Sequence, residues 1–294
     1  MPLQTATTGQ LEDAQRIAIE ETRFTAEHNA PMLQLIEKMR LAQGEKSITV
    51  PKVGQMTAAN LTDGVDLTAS EDIGMTTVSL TSGEVGLKVI LTDKLVRQEN
   101  EDVFRIVGRQ MGDAMARKKD IDVLNLFSAL GATLDGDIGA GGFNLEIQNV
   151  TAAIAYAKAN KFPMPISFVH HPWAVFDISR SVSTGATAGD VPNSIMPGFM
   201  TDLLQDFYSG ITLNRVPIFE DGNIAEDASG DGVGAIFSMH AMVHVEQLGF
   251  TTARERDESL RATEVIVLSD YGVFELDDTY GAPVTAVVSA RALA

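Results

Sequence analysis

The chain has 294 residues, no cysteine, and 40 acidic against 22 basic side chains, which give a formal net charge of −18. The length predicts about two domains, and 45% hydrophobic residues are enough to form a core without disulfides or structural metal ions. The missing cysteines exclude thiol catalysis, cysteine-ligated zinc and iron–sulfur clusters. The acidic balance disfavours broad binding to nucleic acid, and no apolar run predicts a membrane helix or a signal peptide. We therefore expect a globular protein made in the cytoplasm.

The first 92 residues predict an extended N-terminal part with little apolar surface for a core of its own. Residues 8–42 have helical apolar spacing, interrupted at Pro31, which indicates an arm that lies on another surface. Residues 46–92 are rich in Thr, Val, Ser and Gly, and the turn dipeptide Ser82-Gly83 separates two strand-like runs, so we interpret them as a long β-ribbon. Because such a ribbon is marginally stable alone, we expect residues 1–92 to be buried on adjacent copies of the chain.

The strongest predicted element is a long amphipathic helix over residues 101–130. Apolar side chains recur there at mostly three- or four-residue spacing, acidic residues occupy the first turn, and Gly131 follows the last turn. At about 1.5 Å per residue, the helix would be roughly 45 Å long. Its predicted apolar stripe consists of Val103, Val107, Met111, Ala114, Ile121 and Leu124.

The remaining elements are short and mixed in order, which predicts the α+β class. Helices are expected after Asn149, after Pro172 and over residues 201–208, and the first of them should bury Val150, Ala153, Ile154 and Ala157. Strands are expected over residues 165–170, 216–219, 233–245, 264–276 and 283–288. Between the last strands, Arg254, Arg256 and Arg261 alternate with acidic residues, which predicts an exposed loop suited to weak intersubunit ion pairs.

The five histidines predict neither a metal site nor a catalytic site. His240 and His244 have the spacing of a helical metal pair, but in a strand-like run four residues span about 13 Å. We interpret them as strand histidines at a surface or an interface. His170 and His171 would point to opposite faces of a strand, and His28 lies in the arm.

The acidic and glycine-rich loops are interpreted as solvated turns. Residues 227–232 resemble the first half of a calcium loop, but Ser238 stands where such a loop ends in Glu. Residues 135–142 lack the strand and helix that flank a dinucleotide-binding loop, and residues 44–47 match only the tail of a phosphate-binding loop. The basic run Arg117-Lys118-Lys119 is interpreted as a solvated or subunit-facing stripe. We therefore predict no catalytic, cofactor-binding or metal-binding residue, and a function in assembly.

The order of these segments resembles the HK97-fold major capsid proteins of tailed bacteriophages. The arm, the ribbon and the helix that begins with EDVFRIVGRQM look like the N-terminal arm, extended loop and spine helix of that family. ISFVHHPWAVFDI and ITLNRVPIFEDGNI resemble elements of its A-domain, GAIFSMHAMVHVEQ and FTTARERDESLRATEVIVLSDYGVFEL resemble its P-domain strands and loop, and APVTAVVSA resembles the last strand. The resemblance covers nearly the whole chain.

The resemblance implies a division of the chain into six segments. These are an N-terminal arm (1–45), an extended β-ribbon or E-loop (46–92), a P-domain part with the spine helix (93–146), an A-domain (147–232), P-domain strands with a loop (233–276), and a return strand to the A-domain (277–294). Some family members join a Lys of the extended loop covalently to an Asn of the P-domain loop. Lys52 and Lys88 are the ribbon lysines here, but residues 250–270 contain no Asn, so no such cross-link is expected.

The function that the resemblance implies is a structural subunit that forms hexamers and pentamers and closes into an icosahedral phage head. Its partners would be copies of itself and scaffolding, portal and decoration proteins. It would enclose double-stranded DNA without sequence-specific contacts, touch no membrane, need no cofactor, catalyse no reaction, and reside in the virion after assembly in the host cytoplasm.

Three other functions stay open at this stage. An encapsulin nanocompartment shell has the same fold and encloses enzymes. An acidic hydrolase could use carboxylates such as Asp135, Asp137 and Asp221. A surface- or fibre-binding module would need a compact β domain without the long helix.

Overall fold

The computed structural model describes residues 32–52, 74–98, 103–131, 141–184 and 212–290, together with the single positions 58, 60, 63 and 134. The predicted arm over residues 8–31, most of the ribbon tip, Asp135, Asp137, and the predicted helix over residues 201–208 lie outside this part of the chain.

The described residues form five α-helices and eleven strands, which confirms the α+β class. The helices are α1 (Met32–Leu35), α2 (Asp93–Gln98), α3 (Val103–Leu124), α4 (Ile147–Ala159) and α5 (Pro172–Thr184). The strands are β1 (Glu37–Arg40), β2 (Ser47–Lys52), β3 (Thr76–Thr81), β4 (Gly83–Thr92), β5 (Ile166–His170), β6 (Thr212–Leu213), β7 (Val216–Glu220), β8 (Asp231–Ser238), β9 (Met242–Asp257), β10 (Ala262–Glu275) and β11 (Gly281–Val287).

A four-stranded sheet has the order β1-β9-β10-β4. Its centre is the long antiparallel hairpin of β9 and β10, while β4 pairs antiparallel with β10 and β1 pairs parallel with β9. One face of this sheet is apolar, because Val265 and Val267 of β10 pack against Met111 and Met115 of α3. The helix therefore lies along the sheet and covers that face.

A five-stranded sheet has the order β11-β8-β5-β7-β6. Its central strand β5 is buried at every position, as its nearly continuous apolar sequence predicts. Helices α4 and α5 contribute to the main core beside it, and α4 buries the predicted face of Val150, Ala153, Ile154 and Ala157. The predicted helix after Pro172 is also confirmed, since α5 begins at that residue.

Helix α3 connects the two sheets. Its N-terminal half packs on the four-stranded sheet, and its last turn joins a core with α1 and the five-stranded sheet, where the Phe127 and Phe237 rings lie 5.5 Å apart. The helix ends at Leu124 and continues as a 3₁₀ turn over Asn125–Ala129, so the prediction of one element over residues 101–130 is largely confirmed.

The predicted apolar stripe of the long helix is partly wrong. Met111 and Leu124 are buried, but Ala114 and Ile121 are only half-buried. The most buried side chains include Met115 and also the polar residues Lys119 and Asp120. Two charged residues on the buried side interrupt the hydrophobic pattern, so the sequence alone misplaced the stripe.

The helix predicted to continue to residue 42 is wrong. Helix α1 ends at Leu35, and Glu37–Arg40 forms β1 along the edge of β9. The backbone groups of this segment are satisfied by sheet hydrogen bonds instead of a helix, which is a case of tertiary pairing that overrides local propensity. Met32 and Ile36 are buried in the core that α1 shares with α3.

The predicted ribbon over residues 46–92 is only partly present, as the two-stranded sheet of β2 and β3, with Val50 opposite Val78. The two runs on either side of Ser82-Gly83 do not pair with each other, because β4 pairs with β10. Its inner face packs within the same chain on Val243 and Val245 of β9. After Ser82 the chain leaves the ribbon and enters the four-stranded sheet as β4. The expectation that residues 1–92 depend on adjacent copies for burial is therefore wrong for the described residues from Met32 to Thr92.

Two predictions in the last third of the chain are corrected. The single strand predicted over residues 233–245 is two strands, β8 and β9, separated by a turn at residues 239–241. Strand β8, which we grouped with the P-domain, pairs with β5 and β11 in the five-stranded sheet. The mixed-charge loop over residues 254–261 is mostly the end of β9, with a turn only at residues 258–261.

Candidate assembly surfaces

The hairpin of β9 and β10 presents an open surface. Strand β1 covers the outer edge of β9 only from Val243 to Glu246, and no described strand pairs with that edge over residues 248–257. The side chains of residues 247–256 are all exposed. A strand with a free edge and exposed faces is a ready surface for pairing with another chain.

Apolar side chains lie on this open hairpin. Leu248 and Leu268 are 47% and 40% exposed. Leu248 pairs with Asp270, and Leu268 lies two residues away on the same strand, so both leucines belong to the face that points away from α3. Leu268 also lies over Gly86 of β4, where any β-carbon would come within 2.6 Å of it. The outer face therefore carries an apolar patch formed by Leu248 and Leu268, which we call the hairpin patch.

The predicted mixed-charge segment forms contacts within its own chain. Arg256 donates to both carboxylate oxygens of Asp93 at 2.8 Å and also contacts Glu258. The Arg256 guanidinium holds the pKa of Asp93 below its usual range. This pairing ties the hairpin tip to the start of α2, so the expected intersubunit role is not needed to explain Arg256.

Lys52 and Lys88 are also held by ion pairs within the chain. Lys52 donates to Asp277 at 2.6 Å and lies 3.4 Å from Asp278, which fixes the end of β2 to the turn before β11. The Asp277 carboxylate raises the pKa of Lys52. Lys88 pairs with Glu264 across β4 and β10.

The basic run on α3 is only partly a solvated stripe. Lys118 pairs with Asp122 on the helix surface, but Lys119 is 3% exposed and its ammonium lies 2.8 Å from a Glu246 carboxylate oxygen. The same ammonium lies 4.3 Å from the ring centroid of Phe250 and 5.0 Å from that of Tyr271. The hydrogen bond from Lys119 holds the pKa of Glu246 below its usual range. This buried pair could not be predicted from local sequence patterns, because its members are 127 residues apart.

The histidines are placed in three different environments. His240 lies in the turn before β9 and pairs with Glu37 at 3.2 Å, while His244 is buried in β9 and stacks on Tyr271. Burial lowers the pKa of His244 to about 4. His240 is therefore a turn residue and not a strand residue, and no group of three metal-binding side chains occurs in the described parts of the chain.

His170 is a buried structural residue. Its Nδ1 accepts from the His171 backbone N–H at 2.8 Å, so its other ring nitrogen, Nε2, carries the proton and donates to the Val284 carbonyl at 3.1 Å. Burial lowers the pKa of His170 to about 3, so the ring is neutral. The imidazole thus joins β5 to β11 through β8, whose Gly234 leaves room for the ring.

Of the three carboxylates named for a hydrolase, only Asp221 lies in the described part of the chain, and it is buried rather than in an accessible cleft. Asp221 is 2% exposed and faces the equally buried Asp120. In the acidic loop, Asp227 accepts backbone N–H bonds from Ser229 and Asp231, as a turn residue does. Asp231 is buried and accepts from the Gly142 N–H, so this member of the loop is not solvated.

Residues 75–284 match a family model described as "Phage capsid protein". The chain belongs to the phage capsid protein family. The match begins just before β3 and ends within β11, so it includes α3, the hairpin patch and most of both large sheets, but not β1.

Solved capsid structures show the same fold at low sequence identity. Mycobacterium phage Che8 is similar with 19% identity and a TM-score of 0.62, over 88% of this chain and 89% of that chain. The capsid of a native GTA particle is similar with 12% identity and a TM-score of 0.64, over 90% and 91%. The holo-SrpI encapsulin complex from Synechococcus elongatus PCC 7942 is also similar, with 12% identity and a TM-score of 0.57, over 90% of each chain. No curated protein sequence matches the chain.

The fold is therefore HK97-like, and the chain is a structural capsid protein whose place is the capsid of the virion. Among the described helices, none is long and apolar enough to cross a bilayer.

Proposed function

We propose that this capsid protein self-assembles into hexamers and pentamers that close into an icosahedral phage head around double-stranded DNA. Family membership supports assembly into a shell, and the open hairpin is the observation in this chain that carries the proposal. An unpaired strand edge of about ten residues next to an apolar patch offers both backbone and side-chain contacts to a second copy.

Two different surfaces per subunit are needed for head-to-tail contacts that close into rings. The ribbon provides one, because it is a two-stranded sheet with no further strand partner among the described residues and its outer positions are exposed. The hairpin provides the other surface, at the edge of β9 that faces away from β10. Many such contacts, each modest, would give a stable shell by multivalency.

The net charge of −18 is compatible with a container that encloses DNA without binding it tightly, because acidic side chains repel the phosphate backbone. In this proposal the protein has no catalytic, cofactor-binding or metal-binding residue and no contact with a membrane. It is synthesised and assembled in the host cytoplasm with separate scaffolding and portal proteins, and decoration proteins bind the finished head. The six segments implied by the family resemblance are the proposed domain organisation, except that β8 belongs with the A-domain strand β5 in the five-stranded sheet.

Expression alone and with the scaffolding protein, followed by size exclusion and negative-stain microscopy, tests assembly. Closed shells are expected, and small species under every condition would contradict the proposal. Leu268→Lys should block assembly without unfolding the subunit, because it places a charge in the hairpin patch. Ala155→Lys is the control, since this exposed residue lies on α4, outside both the hairpin and the ribbon.

The similarity to an encapsulin favours one alternative, a shell that encloses proteins. The contents of purified particles separate the two functions. Nuclease-protected double-stranded DNA supports the phage head, while particles that hold a bound protein and no DNA would support the nanocompartment.

A further inference from the structure

Two buried carboxyl groups meet where the long helix joins the five-stranded sheet. Asp120 lies on α3 and is 1% exposed, and Asp221 directly follows β7 and is 2% exposed. The surrounding core contains Met32 of α1, Val123 of α3 and Ile224, which follows the β7 turn. The pair therefore joins the long helix α3 to the five-stranded sheet.

The hydrogen bonds around this pair leave one oxygen of each carboxyl without a donor. The Asn223 side-chain amide donates to Asp120 Oδ2 at 3.0 Å, and the Asn223 backbone N–H donates to Asp221 Oδ1 at 2.9 Å. The backbone N–H of Met32 also donates to the Asp120 carboxyl. Asp120 Oδ1 and Asp221 Oδ2 are both buried and have no hydrogen-bond partner.

A single proton shared by the two carboxyl groups can satisfy both unpartnered oxygens. Asn223 bonds to both carboxyl groups and so places them side by side, where a proton on one carboxyl can be shared with the other. Two adjacent ionised carboxylates in a buried site repel each other, and burial removes the water that would solvate their charges. The nearest lysines on the helix do not compensate, because Lys118 pairs with Asp122 and Lys119 pairs with Glu246.

We propose that Asp120 and Asp221 form a proton-operated latch that fastens the long helix to the five-stranded sheet. One shared proton holds the two elements together, and its loss places two negative charges in the junction and loosens it. The latch is a property of the single subunit, so it stands or falls independently of the proposed shell.

The pH range of the latch follows from its surroundings. Burial, and secondly the neighbouring Asp221, raise the pKa of Asp120 to about 8. Because the folded pKa lies above the unfolded value of about 4, the contribution to stability is complete below pH 4 and is lost as the pH rises through about 8. His171 faces Asp221 and Glu226, and burial lowers its pKa below 6.5, so this histidine stays neutral throughout the upper range.

Hydrogen exchange on the unassembled full chain between about pH 6.5 and 9.5, corrected for the intrinsic dependence of exchange on pH, tests the latch. Between about pH 6.5 and 8 we expect protection in residues 32–36, 120–124 and 221–224 to fall by about tenfold per pH unit, the slope of one proton, and to level off above about pH 8. Asp120→Asn should abolish this fall, because its amide donates to Asp221 without ionising and its oxygen still accepts from Asn223. Asp113→Asn, the matched control on the same helix, should keep the wild-type transition.

Asp221→Asn is the reciprocal variant and decides the result if Asp120→Asn does not fold. A wild-type transition that survives in either folded variant would overturn the latch, as would protection that does not change across this range. Calcium or magnesium ions alone provide a further check. If either ion protects the junction at high pH in the wild type and not in the variants, the pair is a cation site and the proton latch is refuted.

Discussion

Replacing Lys119 by methionine should destabilise the subunit, because the substitution removes a cation that three groups hold inside the protein. The Lys119 ammonium contacts the Glu246 carboxylate at 2.8 Å and lies above the Phe250 and Tyr271 rings. Methionine keeps most of the unbranched apolar stem, so the measured loss reports the charge more than the packing.

The size of the effect follows from the burial of the two partners. Removing one member of a buried ion pair costs about 3–5 kcal/mol, because the other charge stays buried and unpaired. Lys119 is almost fully enclosed, but the Glu246 side chain is 23% exposed, so water stabilises part of its charge. This exposure lowers the cost of the broken pair to about 2 kcal/mol. Each of the two lost cation–π contacts adds about 0.5–1 kcal/mol, so we expect a loss of about 3–4 kcal/mol in the free energy of unfolding.

A double-mutant cycle with Glu246→Gln, measured by urea unfolding of the unassembled subunit, isolates the pair. The double variant should be more stable than the sum of the two single losses predicts, by about 2 kcal/mol. Lys118→Met is the control and should cost less than about 0.5 kcal/mol, because Lys118 is 51% exposed. Additive single effects, or equal losses for Lys118→Met and Lys119→Met, would refute the assignment of a buried pair.

Three further predictions use other parts of the structure. Gly234→Ala should cost about 2–3 kcal/mol in thermal unfolding, because the new β-carbon would lie 2.4 Å from the His170 ring and from the Val169 carbonyl. Gly86→Ala is the control and should cost less, because it mainly displaces the flexible, exposed side chain of Leu268. As the pH is lowered below 6.5, His170 and His244 are protonated in the unfolded state before they are protonated in the folded state, so stability should decrease. His170 should contribute up to about 1.4 kcal/mol per pH unit to this decrease, and His170→Gln should remove that contribution. Denaturing gels of mature particles should show monomers, and a ladder of covalent oligomers would contradict the predicted absence of a ribbon cross-link.

Local sequence patterns predicted the elements whose environment repeats along the chain. The buried face of α4 could be read from helical spacing, and the nearly continuous apolar run of β5 identified a strand covered on both sides. The start of α5 at Pro172 followed from the preference of proline for a first helical turn. The order of these elements was sufficient to indicate the capsid family, which the family match confirms.

Other features were decided by contacts between distant parts of the chain. Residues 37–40 became a strand because the edge of β9 was free to pair with them, and no local pattern reports a free edge. Lys119 and Asp120 are buried because Glu246 and Asp221, each about 100 residues or more away, meet them there. A charged residue in a sequence predicts solvent exposure until its partner is known. The sequence by itself therefore determined the class, the element order and the family, while tertiary structure alone decided which charges lie inside and which strand edges stay open for assembly.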